Sequence, residues 1–274
     1  MNIAVIGLGI IGSRISAKYR EAGHRVTAWS RTPRATPGFS ATPAEAAAAA
    51  EAVQIFVNDG ASLLQVLRAM QPALTPQHTI INSATVSLKA TLEAETMVRE
   101  SGAAFLDCPF TGSRDAAGGG QLVYYVGGDA AVLDRVRPVL EDSSREIIPV
   151  GGIGQATVLK IVTNMISATT VQVLSEAMAV TRACGIPLES FRRAVESNAC
   201  CSGLVRMKVP SMIAGDFTPH FSLTNMLKDS RFALELAAQH GLELPALGAA
   251  SARMARLAES GRGGEDYSVL FAQY

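Results

Sequence analysis

The sequence predicts an α/β fold in which a doubly wound sheet is followed by an all-helical carboxyl-terminal domain. Three observations carry that expectation. Strand and helix patterns alternate through the first half, as they do where parallel strands have helices on both faces. The chain opens on an apolar run, Met1 to Ile6, that passes straight into Gly7-Leu8-Gly9-Ile10-Ile11-Gly12 and then into a helical pattern. Beyond Gly154 no further strand pattern occurs, and the remainder reads as helices.

Taken in order, strands are expected at 2–7, 25–29, 53–57, 79–82, 103–107, 121–126 and 145–149. Helical runs lie between them at 12–22, 43–51, 61–70, 87–101 and 129–141. Thr42-Pro43-Ala44-Glu45 has the form of a capping box with proline at the first helical position. The run Ala46 to Ala50 then reads as the body of that short helix. Residues 155–184 contain neither proline nor glycine. They could form one helix about 45 Å long at ~1.5 Å per residue, long enough to join two domains. Later helices are broken at Gly185-Ile186-Pro187, Gly203, Gly215-Asp216 and from Gly241 to Pro245. The expected division is 1–154 for a dinucleotide-binding domain and 155–274 for a helical substrate and dimerisation domain, with 155–184 as the interdomain helix.

The glycine run at 7–12 has the spacing of a Rossmann-type dinucleotide fingerprint, and its context is right: strand before, helix after, second strand at 24–29. Gly7 allows the tight turn, Gly9 lets backbone approach a pyrophosphate, and Gly12 lets the helix pack on the strand. The helix start offers unsatisfied N–H groups and a positive dipole end to phosphate. An NAD-binding chain usually ends its second strand with an acid that holds the adenosine ribose. Here the strand ends Trp29-Ser30-Arg31-Thr32, with no carboxylate between Glu21 and Glu45. Arg31, with Arg34 nearby, is suited instead to a 2′-phosphate, so the expected cofactor is NADP(H).

Composition narrows the class further. The 274 residues are 48% hydrophobic with zero net charge, and no basic patch suggests nucleic acid. Cys108, Cys184, Cys200 and Cys201 have no metal-ligand spacing and the four histidines are scattered, so no metal is expected. These thiols, and a first strand that begins at the first residues, suggest a cytoplasmic protein with neither signal peptide nor membrane association. The apolar faces of the later helices need cover, which a second copy of the chain would supply.

Two segments carry candidate chemistry. Lys160 and Asn164 stand four apart, on one face of the long helix. A hydride delivered to a carbonyl carbon leaves an alkoxide that needs a proton donor, and a desolvated lysine can give and retake that proton. Val158, Leu159, Ile161, Val162, Met165 and Ile166 make the turn apolar almost all round, so a charge there calls for a reason. The second segment, Asp107-Cys108-Pro109-Phe110-Thr111-Gly112-Ser113, follows a strand at the sheet edge where ligands bind. Thr111 and the N–H groups near Gly112 and Ser113 could grip a carboxylate. Asn82-Ser83-Ala84-Thr85 and Lys228-Asp229 are weaker candidates of the same kind.

Together these segments resemble the β-hydroxyacid dehydrogenase family, whose best-known members act on 3-hydroxyisobutyrate, and within it the glyoxylate and succinic semialdehyde reductase branch. The likeness runs end to end. It includes Gly7 to Gly12, Trp29 to Thr32, Thr85, Pro109 to Ser113 with Gly120-Gln121-Leu122, and Gly152-x-Gly154 to Lys160-x-x-x-Asn164-Met165. It continues through Pro210-Ser211-Met212, Phe221-Ser222-Leu223 to Lys228-Asp229, and Glu265-Asp266-Tyr267-Ser268. The resemblance implies that Lys160 is the acid/base group and Asn164 its orienting partner. It implies a substrate carboxylate held by Thr111, Gly112 and Ser113, with Phe221 and Asp229 completing the pocket. Gly7 to Gly12, Ser30, Arg31, Thr32, Val57, Asn58, Thr85 and Lys228 would bind NADP(H). The family fold is a Rossmann domain followed by a helical domain, commonly dimeric or tetrameric, with the active site in the cleft between them.

This chain departs from the family pattern in a few places. Thr111 stands where serine is usual, Phe110 replaces a smaller residue, Ala84 occupies a position normally hydroxylated, and Ile11 replaces methionine. These bear on substrate identity more than on reaction type. The expected activity is NADP(H)-dependent interconversion of a small hydroxy acid and its aldehyde or keto acid. Two alternatives stand beside it: an imine reductase on the same scaffold, whose relatives often carry Asp or Tyr in place of Lys160, and a non-catalytic dinucleotide-binding protein.

Overall fold

Every residue of β3 (Ala52–Ile55) and β4 (Thr79–Asn82) is buried, and so are four of the five in β1 (Asn2–Ile6). Strands that are buried throughout belong to a sheet covered on both faces. The computed structural model describes residues 1–274, which divide into two compact units, Met1–Lys160 and Ile161–Tyr274. The division therefore falls inside the long helix rather than at its start.

In the first unit, β1 lies between β2 (Arg25–Trp29) and β3, and β4 and β5 (Ala104–Asp107) follow on the β3 side, all parallel. The strand order reverses direction about β1, which places a topological switch point between β1 and β3. Helices α1 (Gly12–Glu21), α2 (Pro43–Ala48), α3 (Gly60–Met70) and α4 (Leu88–Glu100) supply the crossovers. One face of the sheet packs Ile55, Leu63, Leu67, Met70 and Val98 together, and the other packs Ile3, Val5, Ile15, Tyr19 and Leu106.

The far end of this sheet departs from the purely parallel expectation. Phe110–Thr111 form a short strand, β6, and Arg114–Gly118 a single-turn helix, α5, neither of which the sequence pattern disclosed. The next strand, β7 (Leu122–Gly127), runs antiparallel to both β5 and β6. After α6 (Ala130–Glu141), β8 (Ser144–Gly151) returns parallel to β7. Two residues are too few to show alternation, and the α5 turn is too short for a helical period.

Boundaries shift for local reasons. Helix α2 stops at Ala48 rather than 51, because the Glu51 N–H already donates to the Asn2 carbonyl at 2.9 Å as the chain enters the sheet. Its start is capped by Thr42, whose Oγ accepts the Glu45 N–H, but Glu45 Oε2 reaches the Ala41 N–H, one residue before the position a full capping box uses. Strand β3 ends at Ile55, so Val57 and Asn58 lie beyond it.

Helix α7 (Gln155–Ala183) runs from the first unit into the second. By length and composition alone it would pass as a membrane span. Its pattern is that of a helix packed on one side: Ile161, Ala168, Val171 and Met178 are buried, whereas Ile166, Val173 and Val180 are exposed. The second unit adds α8 (Leu188–Glu196), α9 (Gly203–Ala214), α10 (Leu223–Gln239), α11 (Pro245–Leu257) and a terminal 3-10 turn, Tyr267–Gln273.

Within this unit an ion pair is buried between Lys208 of α9 and Asp266, with Nζ 2.6 Å from Oδ1. Asp266 also accepts the N–H groups of His220, Phe221 and Ser268. Burial alone would raise the Asp266 carboxyl, but the Lys208 ammonium, with the hydrogen bond from Ser268, outweighs it and holds the group below its ordinary 3.8. A depressed carboxyl contributes its stability in full above the ordinary value and loses it as pH falls below. Asp266→Asn leaves Lys208 buried without a counter-charge and is expected to cost about 3–5 kcal/mol at pH 7. Urea denaturation at pH 7 and pH 3 checks both points, because the variant should also lose part of the acid-dependent destabilisation.

Candidate active site

The parallel strands all end on one edge, and the chain leaves each end through a segment singled out above. The Gly7 N–H donates to the Trp29 carbonyl at 2.7 Å, so the glycine turn sits beside the start of Ser30, Arg31 and Thr32. The Phe56 N–H donates to Ile6 at 2.7 Å, Ser83 to Ile55 at 3.0 Å, and Cys108 to Asn82 at 2.8 Å. Val57 with Asn58, Thr85, and the Cys108 to Ser113 stretch therefore leave adjacent strand ends in that order. Arg31 and Arg34 are both exposed, and no carboxylate is ion-paired with either.

The three glycines of the turn separate into two kinds. A Cβ at Gly7, which has φ +100°, would collide with the Phe56 carbonyl, and one at Gly12 with the Gly7 carbonyl. These two are required by the fold. A Cβ at Gly9 would meet nothing within 4 Å. The space above Gly9 is what a pyrophosphate would need for close backbone approach. Helix α1 beyond it has neither a side-chain cap nor an acid in its first turn. Helices α2, α3, α4, α5 and α6 are each capped, by Thr42, Asp59, Ser87, Ser113 and Asp129. An uncapped helix start behind an open glycine fits a dinucleotide phosphate.

Thr111 lies in β6, paired with Val123, and is half-buried. Gly112 has φ +138°, the left-handed side that glycine tolerates, and a Cβ there would press on Leu122. The Ser113 Oγ accepts the Ala116 N–H as the cap of α5, which leaves its own proton to give. Phe110 packs edge-on against Phe56 at 5.9 Å and Tyr124 at 6.4 Å between ring centres. Phe56 lies directly under the glycine turn, so this aromatic row ties the carboxylate-gripping candidate to the phosphate-binding one.

Lys160 is nine-tenths out of water, on the second turn of α7. What fixes that helix start was not read from the sequence. Asp107, fully buried at the end of β5, accepts the Gly154 N–H at 3.0 Å and the Thr157 N–H at 2.8 Å on Oδ2, and the Thr157 hydroxyl at 2.7 Å on Oδ1. Thr91 of α4 meets the same hydroxyl at 2.9 Å. Burial pushes the Asp107 carboxyl up from its ordinary value, and the three hydrogen bonds oppose that shift. The cap joins residues 47 and 50 apart in sequence, a separation that local spacing does not reveal.

The other candidates lie in the second unit. Asn164 of α7 donates through Nδ2 to Asp229 Oδ2 of α10 at 2.7 Å, and the Lys228 ammonium stands 3.4 Å from Asp229 Oδ1. Phe221 stacks edge-on with Tyr267 at 6.3 Å, just ahead of α10. Asp266, which the sequence reading named only within the Glu265-Asp266-Tyr267-Ser268 likeness and gave no role, accepts the Phe221 N–H.

Residues 2–152 match the family described as the NAD binding domain of 6-phosphogluconate dehydrogenase, and residues 154–274 match NAD-binding of NADP-dependent 3-hydroxyisobutyrate dehydrogenase. Glyoxylate/succinic semialdehyde reductase 2 of Arabidopsis thaliana is 26% identical over 98% of this chain and 78% of its own length. The 2-hydroxy-3-oxopropionate reductase of Escherichia coli K12 is 28% identical, covering 98% of this chain and 96% of its own. Among solved structures, Mycobacterium tuberculosis 3-hydroxyisobutyrate dehydrogenase with L-serine superposes with a TM-score of 0.91 at 27% identity, over 99% of this chain and 98% of that one.

The two kinds of glycine separate experimentally. Gly9→Ala is expected to leave the melting temperature unchanged and weaken dinucleotide binding at least tenfold, about 1.4 kcal/mol. Gly12→Ala is expected to lower the melting temperature. Thermal melts with fluorescence titration of the reduced dinucleotide measure both.

Proposed function

The chain belongs to the β-hydroxyacid dehydrogenase family, and from that premise we propose that it is an NADP(H)-dependent reductase of small aldehyde or keto acids, running reversibly as a hydroxy-acid dehydrogenase. The observation that carries the reading is Lys160, a cationic side chain held out of water on a capped helix in a chain with a dinucleotide turn. When bound, the dinucleotide supplies or receives the hydride. The Lys160 ammonium gives a proton to the substrate oxygen as the carbonyl carbon is reduced, and the neutral amine takes it back in the other direction. Thr111, Gly112 and Ser113 hold the substrate carboxylate through hydroxyl and backbone N–H groups. Asn164, fixed by Asp229, orients the reacting groups, and Phe221 supplies an apolar wall. Lys228 and Thr85 contact the nicotinamide end.

The preference for NADP(H) over NAD(H) rests on Arg31 and Arg34, exposed after β2 where an acid would otherwise hold the ribose. Glyoxylate, succinic semialdehyde and 2-hydroxy-3-oxopropionate, named for the relatives, are the first acceptors to try. Self-association is part of the same reading. Ile166, Val173 and Val180 recur every seven residues along the exposed side of α7, an apolar stripe suited to a second copy. We place the protein in the cytoplasm on its cysteine usage.

A panel of C2 to C4 carbonyl acids and one cyclic imine, run with NADPH and with NADH, tests the reaction class. Lys160→Ala is expected to abolish turnover while NADPH still binds, and retention of more than a few per cent of activity would remove Lys160 from its role. Arg31→Ala is expected to raise the KM for NADPH about 10- to 100-fold, the worth of one charge-assisted hydrogen bond, with little change for NADH. Equal use of both cofactors by the unaltered protein would overturn the Arg31 argument. Light scattering is expected to give a dimer or tetramer, shifted toward monomer in Val173→Lys.

A further inference from the structure

Resting on the reading of Lys160 as the proton-exchanging group, we infer that Asp107 is a positioning residue for it, setting where that amine stands. Asp107 is held at the end of β5 by pairing with Asn82 on one side and Gly127 on the other. Its two oxygens take hold of the first turn of α7 at three points, the N–H of Gly154, the N–H of Thr157 and the Thr157 hydroxyl. Two backbone bonds fix the helix along its axis. The third, to a side chain, fixes its rotation, and the Thr91 hydroxyl braces the same group from α4.

Lys160 follows Thr157 by one turn, about 4.5 Å along the axis and on the same face. Helical side chains lean toward the amino terminus, so the lysine stem lies back over the turn that Asp107 grips. A side-chain end stands about 5–6 Å from the helix axis, so a rotation of roughly 10° moves it by about 1 Å. Misplacement on that scale costs about 100-fold in rate. The strand that ends in Asp107 continues through Cys108 and Pro109 to Phe110 and Thr111. One carboxylate thus references the proton donor and the carboxylate-gripping segment to the same strand end.

The test compares Asp107→Ala, Asp107→Asn and Lys160→Ala in the full-length enzyme, with NADPH and the best acceptor of the panel. Asp107→Ala is expected to lower kcat about 100-fold per folded molecule while the dissociation constant for NADPH stays within about 3-fold. Asp107→Asn is expected to recover most of that loss. Its amide oxygen can accept both N–H groups and its NH2 can donate to Thr157 Oγ, which turns its own proton to Thr91. The solvent deuterium isotope effect on kcat should rise in Asp107→Ala as proton transfer becomes limiting. A lower melting temperature with unchanged kcat would overturn the inference, as would an Asp107→Asn enzyme as slow as Asp107→Ala. If Asp107→Ala does not fold, Thr157→Val takes its place: a roughly 10-fold lower kcat supports the positioning, and an unchanged one overturns it. An active Lys160→Ala sinks the functional reading itself. An inactive Lys160→Ala beside a fully active Asp107→Ala sinks only the positioning.

Discussion

A carboxylate buried at the end of a strand is the constraint on which the placement of the long helix's first turn depends. Removing Asp107 from water is unfavourable unless hydrogen bonds replace its hydration. Here the replacement comes from a helix start, the one backbone feature that offers several unsatisfied N–H groups and a positive dipole end together. The exchange is mutual: the helix needs an acceptor and the carboxylate needs donors. Because β5 is parallel to β4 and enclosed by β7, the acceptor cannot drift, and the helix inherits the rigidity of the sheet.

The same logic, run in reverse, describes the other helix start at this edge. Helix α1 has no side-chain cap, its Ser13 and Arg14 N–H groups turning to the Gly9 and Ile11 carbonyls, while the crossover helices beside it are each closed by a serine, threonine or aspartate. With neither a capping side chain nor an acid over that start, nothing of negative charge stands in the way of an incoming phosphate. The second unit uses the buried-carboxylate device again, with Asp266 gathering the backbone of His220 and Phe221 and a lysine for charge balance. Asp107 has no such counter-ion among its hydrogen-bond partners, which is why burial raises its carboxyl whereas Asp266 is lowered.

The sequence disclosed what depends on local period and spacing. Strands β1 to β5, the glycine turn and the proline-free run of α7 each carry their pattern in consecutive residues, and each stands in the structure. What stayed hidden depends on contact between distant segments. β6 is two residues long and exists because Phe110 pairs with Tyr124 and Thr111 with Val123. Asp107 was noticed only as the first residue of a loop, since its donors follow some fifty residues later. Val57 was placed as the last residue of a strand that stops two residues earlier. Lys160 stood out in the sequence because it interrupts an apolar run; the reason it can be held still did not.

The aromatic row of Phe56, Phe110 and Tyr124 bears on which substitutions this edge of the sheet can accept. The Phe110 ring leans on Phe56, the residue that supports the glycine turn. Trimming it would open a void beneath the glycine turn. Enlarging it would push on that turn from below. The two rings are therefore best exchanged as a set, because a change in one alone is felt by the turn above the other.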